Sequence, residues 1–219
     1  MITPRQEPPT RFTRGREEMM TVTQPVPGLL SGRQARWTVD TDNLEICFSV
    51  GLMKVATVEG RFGKAEGTIV LDDGSPHWSR VDLSIEAYSI DTRNPVRDYH
   101  LRTRDYLDAQ RFPHIAFASS HVVPLDDTTY WVTGELTIRG ATREISLDVA
   151  HDEENVELGA CRRRFSAQTK IDRKDFGIDP GVAGLGFLIG SEVTVRVRGE
   201  ALERPRSGLD LREETYEKH

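Results

Sequence analysis

Cysteine is almost missing from this chain. Cys47 and Cys161 are its only two, they form no C-x-x-C pair, and their separation suits no metal site, which excludes a disulfide-dense scaffold and a zinc or dithiol centre. Parity leaves one disulfide open, but two free thiols in a reducing compartment is the reading adopted here. Long apolar runs are missing too. Within residues 1–35 the longest candidate, Gly28 to Leu30, is far shorter than the apolar region of a secretory signal. No run approaches the ~18 residues that a membrane-spanning helix needs. The expectation is a soluble, cytoplasmic protein without a transmembrane segment. An excess of basic charge is also lacking: Asp+Glu 35 against Lys+Arg 29 give a net charge of -6, so nucleic acid is not an expected partner.

Catalytic signatures are equally sparse. There is no nucleophile elbow, P-loop or dinucleotide fingerprint, and Ser49, Ser119 and Ser166 lack a recognisable base and orienting group. His100, Asp105, Asp108 and His114 are ligand-type residues close together in sequence, but their spacing matches no compact metal motif. No catalytic residue, metal or cofactor is therefore assigned, and the protein is read as a binding protein rather than an enzyme.

What the chain does contain is alternation. Ile46, Phe48 and Val50 share one parity, as do Leu83 and Ile85, then Val132, Gly134, Leu136 and Ile138, then Ile145, Leu147 and Val149, then Val193, Val195 and Val197, with polar residues between them. That is the period of strands buried on one face. Val55–Phe62 and Thr68–Leu71 read as a bent strand pair with Gly60, Gly63 and Gly67 at the bends, and Val156–Thr169 as one strand with Phe165 and Ala167 inward. Arg139–Thr142 turns the clearest hairpin. Arg162, Arg163 and Arg164 read as a solvated strand end, with an anion site as the alternative, since alternation turns at most one or two of the three inward. Short connections demand antiparallel pairing, and closure into an up-and-down barrel of about eight strands removes exposed edges. The domain spans 36–202, between a flexible lead, 1–35, and a polar tail, 203–219.

One stretch breaks the pattern. From Ser89 to Ser119, Asn94–Pro95 signals a helix start, Tyr99, Leu101, Tyr106 and Leu107 are irregularly spaced, and Phe112–Pro113 marks a stop. One or two short helices are expected in this excursion, over 91–112. Its residues Ser89-Ile90-Asp91-Thr92, Arg97-Asp98, His100-Leu101, Asp105 to Asp108, Phe112-Pro113 and Ile115 resemble the central signature of the YceI-like family. So do Trp37 to Asp40, Val58 to Phe62, Gly134 to Gly140 and Asp175 to Ile178 in their order along the chain. The sequence departs from that family at Asn43, Leu44 and Gly51, where relatives carry histidine or serine.

The resemblance implies an all-β, antiparallel, lipocalin-like barrel that binds a polyisoprenoid. The inward residues Phe48, Val50, Phe62, Leu83, Ile85, Phe117, Val132, Leu136, Ile138, Ile145, Leu147, Phe165, Phe187 and Val195 then become the candidate lining of an apolar pocket. Small inward residues Ala87, Gly134 and Ala167 leave room in it. Arg93, Arg97, His100 and Arg102 are candidates for a head-group contact or for holding the excursion as a lid. The expected ligand is a polyprenyl phosphate or diphosphate or an isoprenoid quinone, bound for sequestration or transport with its head near the rim. Two alternatives remain open at this point: a stress-linked interaction protein with a filled barrel, and a lipid-modifying enzyme using the same pocket. A homodimer is compatible with the binding reading and with both alternatives.

Overall fold

The computed structural model describes residues 34–53, 55–72, 77, 79–152, 155–157, 160–179 and 189–203. Phe187, nearly all of the lead and tail, and most of the glycine-rich 181–190 segment lie outside these residues. The strands are β1 (Gln34–Val39), β2 (Glu45–Leu52), β3 (Ala56–Phe62), β4 (Ala65–Asp72), β5 (Arg80–Glu86) and β6 (Ile90–Asp91). After the helix α1 (Pro95–Arg102) come β7 (His114–Pro124), β8 (Thr129–Ile138), β9 (Ala141–His151), β10 (Asn155–Glu157), β11 (Ala160–Asp172) and β12 (Ile189–Glu203).

Several of these segments are halves of one bent course. β1 and β2 lie end to end along the same side of β12, paired with Ala201–Glu203 and with Ile189–Arg198 respectively. A 3-10 turn at Thr41–Asn43 makes the bend, and Asp40 caps it by accepting from the Asp42 N–H at 3.2 Å. β3 pairs with β2 and β4 with β1, so the two segments expected to pair with each other instead run end to end. The corner between them is at Gly63 and Lys64, whose N–H groups donate to the Ser89 carbonyl and hydroxyl, each at 3.1 Å. β5 and β6 form a third bent course on β4 and β3. With β7, β8, β9, β11 and β12 this makes a closed eight-stranded antiparallel barrel, sealed where β12 meets both β11 and β1.

Local chemistry explains the joints. Arg139 and Gly140 take φ values of 56° and 75°, the left-handed pair that a two-residue hairpin turn needs, and Ile138 pairs with Ala141 across it. The Val156–Thr169 strand is divided into a short hairpin arm, β10, and the long β11. Gly134 does not leave room as expected: a Cβ there would meet the Phe117 ring and the Ala118 carbonyl, beside the register shift between Ser119 and His121. Ala87 is buried, but in a 3-10 turn after β5, among the core residues that seal that end of the strand.

The excursion contains one helix. Asn94 caps α1 by accepting from the Arg97 N–H at 3.1 Å, and Pro95 occupies its first turn. The helix ends at Arg102, well before Phe112, because Thr103 closes it: its N–H and its hydroxyl both donate to the His100 carbonyl, at 3.0 and 2.7 Å. Turns then lead back to β7, with Leu107 and Ala109 buried in the core.

Candidate functional site

The barrel is not packed solid. Its interior holds a cavity of about 630 Å³. The reason is geometric: alternate residues of every course point inward, and eight courses enclose more width than two facing side chains fill. Thirteen of the fourteen predicted apolar residues line this space, and the fourteenth, Phe187, lies outside the described residues. Ala167 lines it as expected.

Sequence reasoning missed other lining residues. Tyr130 shares the parity of Val132, so the same alternation could have found it, and Trp37 lies on β1, where no residue was assigned inward; Ile46, placed on one face with Phe48 and Val50, lines the space with them. Leu101, Leu107, Phe176 and Ile178 come from α1 and the turns, where no period of two exists to read. Arg163, read as part of a solvated strand end, also lines the cavity, with its guanidinium carbon 5.1 Å from the centre of the Trp37 ring. That stacking lets a charged group sit at the end of an apolar space.

The two ends differ. At the end where β2 gives way to β3 and where α1 lies, Val96 and His100 are exposed to solvent and also line the cavity, so the space opens there. Arg173 helps shape this end: its buried guanidinium donates to the carbonyls of Ile178, Gly190 and Ile189 at 2.5, 3.1 and 3.2 Å. At the opposite end, the Tyr130 hydroxyl lies 3.3 Å from His151 Nε2, and the two rings stack with centres 5.5 Å apart. His151 Nδ1 faces the Asp152 carbonyl at 2.8 Å. A carbonyl only accepts, so Nδ1 carries the proton.

Of the four predicted polar residues, the structure brings two to the cavity and leaves two away from it. Arg97 and His100 line the opening. Arg97 is committed to the chain: Nε donates to Thr92 Oγ1 and Nη2 to the Thr92 carbonyl, both at 2.7 Å. Asp98, buried on the neighbouring helix position, accepts from the Thr92 N–H at 2.9 Å and the Thr92 hydroxyl at 2.5 Å. Arg102 faces away from the cavity, donating to the Ile90 carbonyl at 2.8 Å with its guanidinium over the Tyr88 ring. Arg93 sits on the outer wall in a shallow groove with Cys47, Glu59, Arg61 and Asp91. Its N–H donates to Asp91 at 2.8 Å, and that bond, with Arg61 beside it, holds the Asp91 carboxyl below the usual range. Burial pushes the Cys47 thiol up, which makes it a poorer nucleophile. Among the described residues, no group of three His, Cys, Asp or Glu side chains could hold a metal ion.

The chemical capacity of this arrangement is enclosure of hydrocarbon behind a pinned helix. The YceI-like domain model matches residues 37–201. A UPF0312 protein of Shewanella denitrificans is 32% identical over 148 residues, which cover 66% of this chain and 77% of the relative. Among solved structures, BcnA of Burkholderia cenocepacia superposes with a TM-score of 0.67 at 21% identity, over 74% of this chain and 98% of that one. A polyisoprenoid binding domain from Saccharophagus degradans gives 0.54 at 18% identity, over 79% of this chain and all of that one, 100%. At these identities the two structures share the fold.

Proposed function

Because the chain belongs to the YceI-like family, we propose that its barrel binds a long isoprenoid lipid and sequesters or carries it. The observation that carries this reading is the 630 Å³ apolar cavity. The Saccharophagus degradans domain, named for polyisoprenoid binding, supports the choice of ligand class.

Size and energy fit together. If each carbon takes the ~30 Å³ that a water occupies in liquid, the cavity holds about 20 carbons, or roughly four isoprene units. Burying hydrocarbon contributes about 0.8 kcal/mol per methylene, so four units contribute at most about 16 kcal/mol. Association costs about 4–15 kcal/mol. Two units scarcely offset that cost, whereas four do so without a polar contact. Tails longer than about four units extend through the opening.

The polar head, a phosphate, diphosphate or quinone ring, stays at the α1 end beside His100. Arg97 and Arg102 act as pins of the lid, and the lining residues named above contact the tail. The test is organic extraction of purified protein with mass spectrometry, followed by uptake of two-, three- and four-unit prenyl alcohols. Co-purified isoprenoid and a steep rise in affinity with tail length are expected. Lipid-free preparations that also take up no prenyl chain would overturn the reading.

A further inference from the structure

The geometry points to a docking surface: the exposed rim at the α1 end rests on an anionic lipid bilayer, so that a tail passes between membrane and cavity without crossing water. This rests on the carrier reading and adds the source of the cargo. Five large apolar residues at this end are solvent-exposed: Met53 by 58%, Val55 by 87%, Tyr88 by 56%, Val96 by 69% and Tyr99 by 68%. Met53 and Val55 form the tip between β2 and β3, Tyr88 lies in the turn after β5, and Val96 and Tyr99 are on α1.

On α1 the arrangement is continuous. Val96 and Tyr99 are three residues apart and share a face. One turn on, the Arg102 guanidinium carbon lies 4.8 Å from the centre of the Tyr88 ring, which extends the stripe to the barrel wall. The other side of the helix presents Arg97, His100 and Leu101 to the cavity. Val96 belongs to both surfaces, because it lines the cavity and is exposed. One short helix therefore separates the apolar interior from an apolar exterior.

Charge selects the occupant. Exposed Arg104 and Arg111 follow α1 in the excursion and exposed Arg93 lies on the outer wall just before it, so basic and aromatic residues share this end, the combination that sits well at a headgroup layer. Of the aspartates in the excursion, Asp91 is paired with Arg61 at 3.2 Å, Asp98 is enclosed by Thr92, Asp108 is half-buried and Asp105 is exposed beside Arg104, which leaves five arginines against four aspartates over 91–113. Among the described residues, the remaining large exposed apolar ones, Val123, Leu125 and Trp131, belong to the β7–β8 hairpin at the opposite end, next to Asp126, Asp127 and Asp148. An anionic surface repels that hairpin. The net charge of -6 likewise disfavours adsorption through the rest of the protein, so the field turns the α1 end toward the bilayer.

The experiment is co-sedimentation of the full chain with phosphatidylcholine vesicles, with and without phosphatidylglycerol. In parallel, uptake of a four-unit prenyl alcohol from detergent is measured. The variants are Val55→Glu with Tyr99→Glu, neither of which lines the cavity, and separately Arg93→Glu with Arg104→Glu. Binding that requires phosphatidylglycerol, and that falls at least about tenfold in both variants while uptake is unchanged, supports the rim. Uptake by the wild type with no vesicle binding, or with binding that neither variant alters, overturns the rim and leaves the carrier reading standing. Vesicle binding lost in the variants, from a wild type that takes up no prenyl alcohol, keeps the surface and overturns the carrier reading. A wild-type dimer on sedimentation that Val55→Glu with Tyr99→Glu dissolves assigns the patch to a second copy and overturns the bilayer.

Discussion

Replacing Ala167 with phenylalanine should shorten the ligand that the barrel accepts. Ala167 sits on β11, between Val149 of β9 and Val197 of β12, and lines the cavity. Its side chain borders the cavity, so a ring placed there takes up part of the void. The substitution adds six carbons, about 180 Å³ by the ~30 Å³ measure, and leaves about 450 Å³, room for about 15 carbons. One isoprene unit is thereby displaced into water, which removes up to about 4 kcal/mol of tail burial. At about 1.4 kcal/mol per decade, affinity for a four-unit prenyl alcohol should fall by up to about a thousandfold. A three-unit alcohol should bind almost as before. The assay is competition between the two alcohols for wild type and variant, with thermal melting as a check that folding survives. Melting should hold or rise, since new apolar contacts replace a void. An undiminished preference for the four-unit chain in a well-folded variant would refute the claim that cavity volume limits tail length.

Other perturbations probe the parts that position this cavity. Asp98→Ala strips buried Thr92 of the acceptor for its N–H and hydroxyl, so a loss of about 2–5 kcal/mol is expected in denaturant unfolding, with Asp98→Asn milder. A melting curve that does not move would remove Asp98 from its role as the anchor of the excursion. Gly60→Val should destabilise by about 1–3 kcal/mol, because a Cβ there enters the Phe48 ring and comes within 2.7 Å of Thr92 Cγ2; unchanged stability would mean that the two elements separate easily. Asp126 accepts from Thr129 Oγ1 at 2.7 Å and from the Thr128 and Thr129 N–H groups, which hold its carboxyl at about 2. A depressed folded value stabilises fully above the ordinary carboxylate range near ~4 and loses that stabilisation as pH falls toward ~2. The melting gap between wild type and Asp126→Asn should therefore be widest near neutral pH and close across that acidic window. A gap of constant width would show that the carboxylate is not linked to folding.

Legibility varied with the range of the interaction. The β8–β9 hairpin was readable because its signals are adjacent: alternation on both arms and a glycine at a position of positive φ. The start of α1 was readable from Asn94 and Pro95, but its end was not, since Thr103 closes the helix without any of the residues that announce a stop. Gly134 looked like spare room in sequence and is filled in space, because Phe117 reaches it across a register shift on the neighbouring strand. Arg163 looked solvated until Trp37, more than a hundred residues earlier, was found beneath its guanidinium.

By itself the sequence determined which side of each strand is apolar, since side-chain direction follows from a period of two within a few residues. It also determined the family, through motifs preserved in order from Trp37 to Ile178. Only the tertiary structure decided that the enclosed space is open, and which arginines reach it. A void is set by the circumference of the closed barrel minus the summed reach of side chains from every course. That difference depends on strand tilt, on bends such as the corner at Gly63, and on where the excursion is pinned, none of which is a property of any one segment.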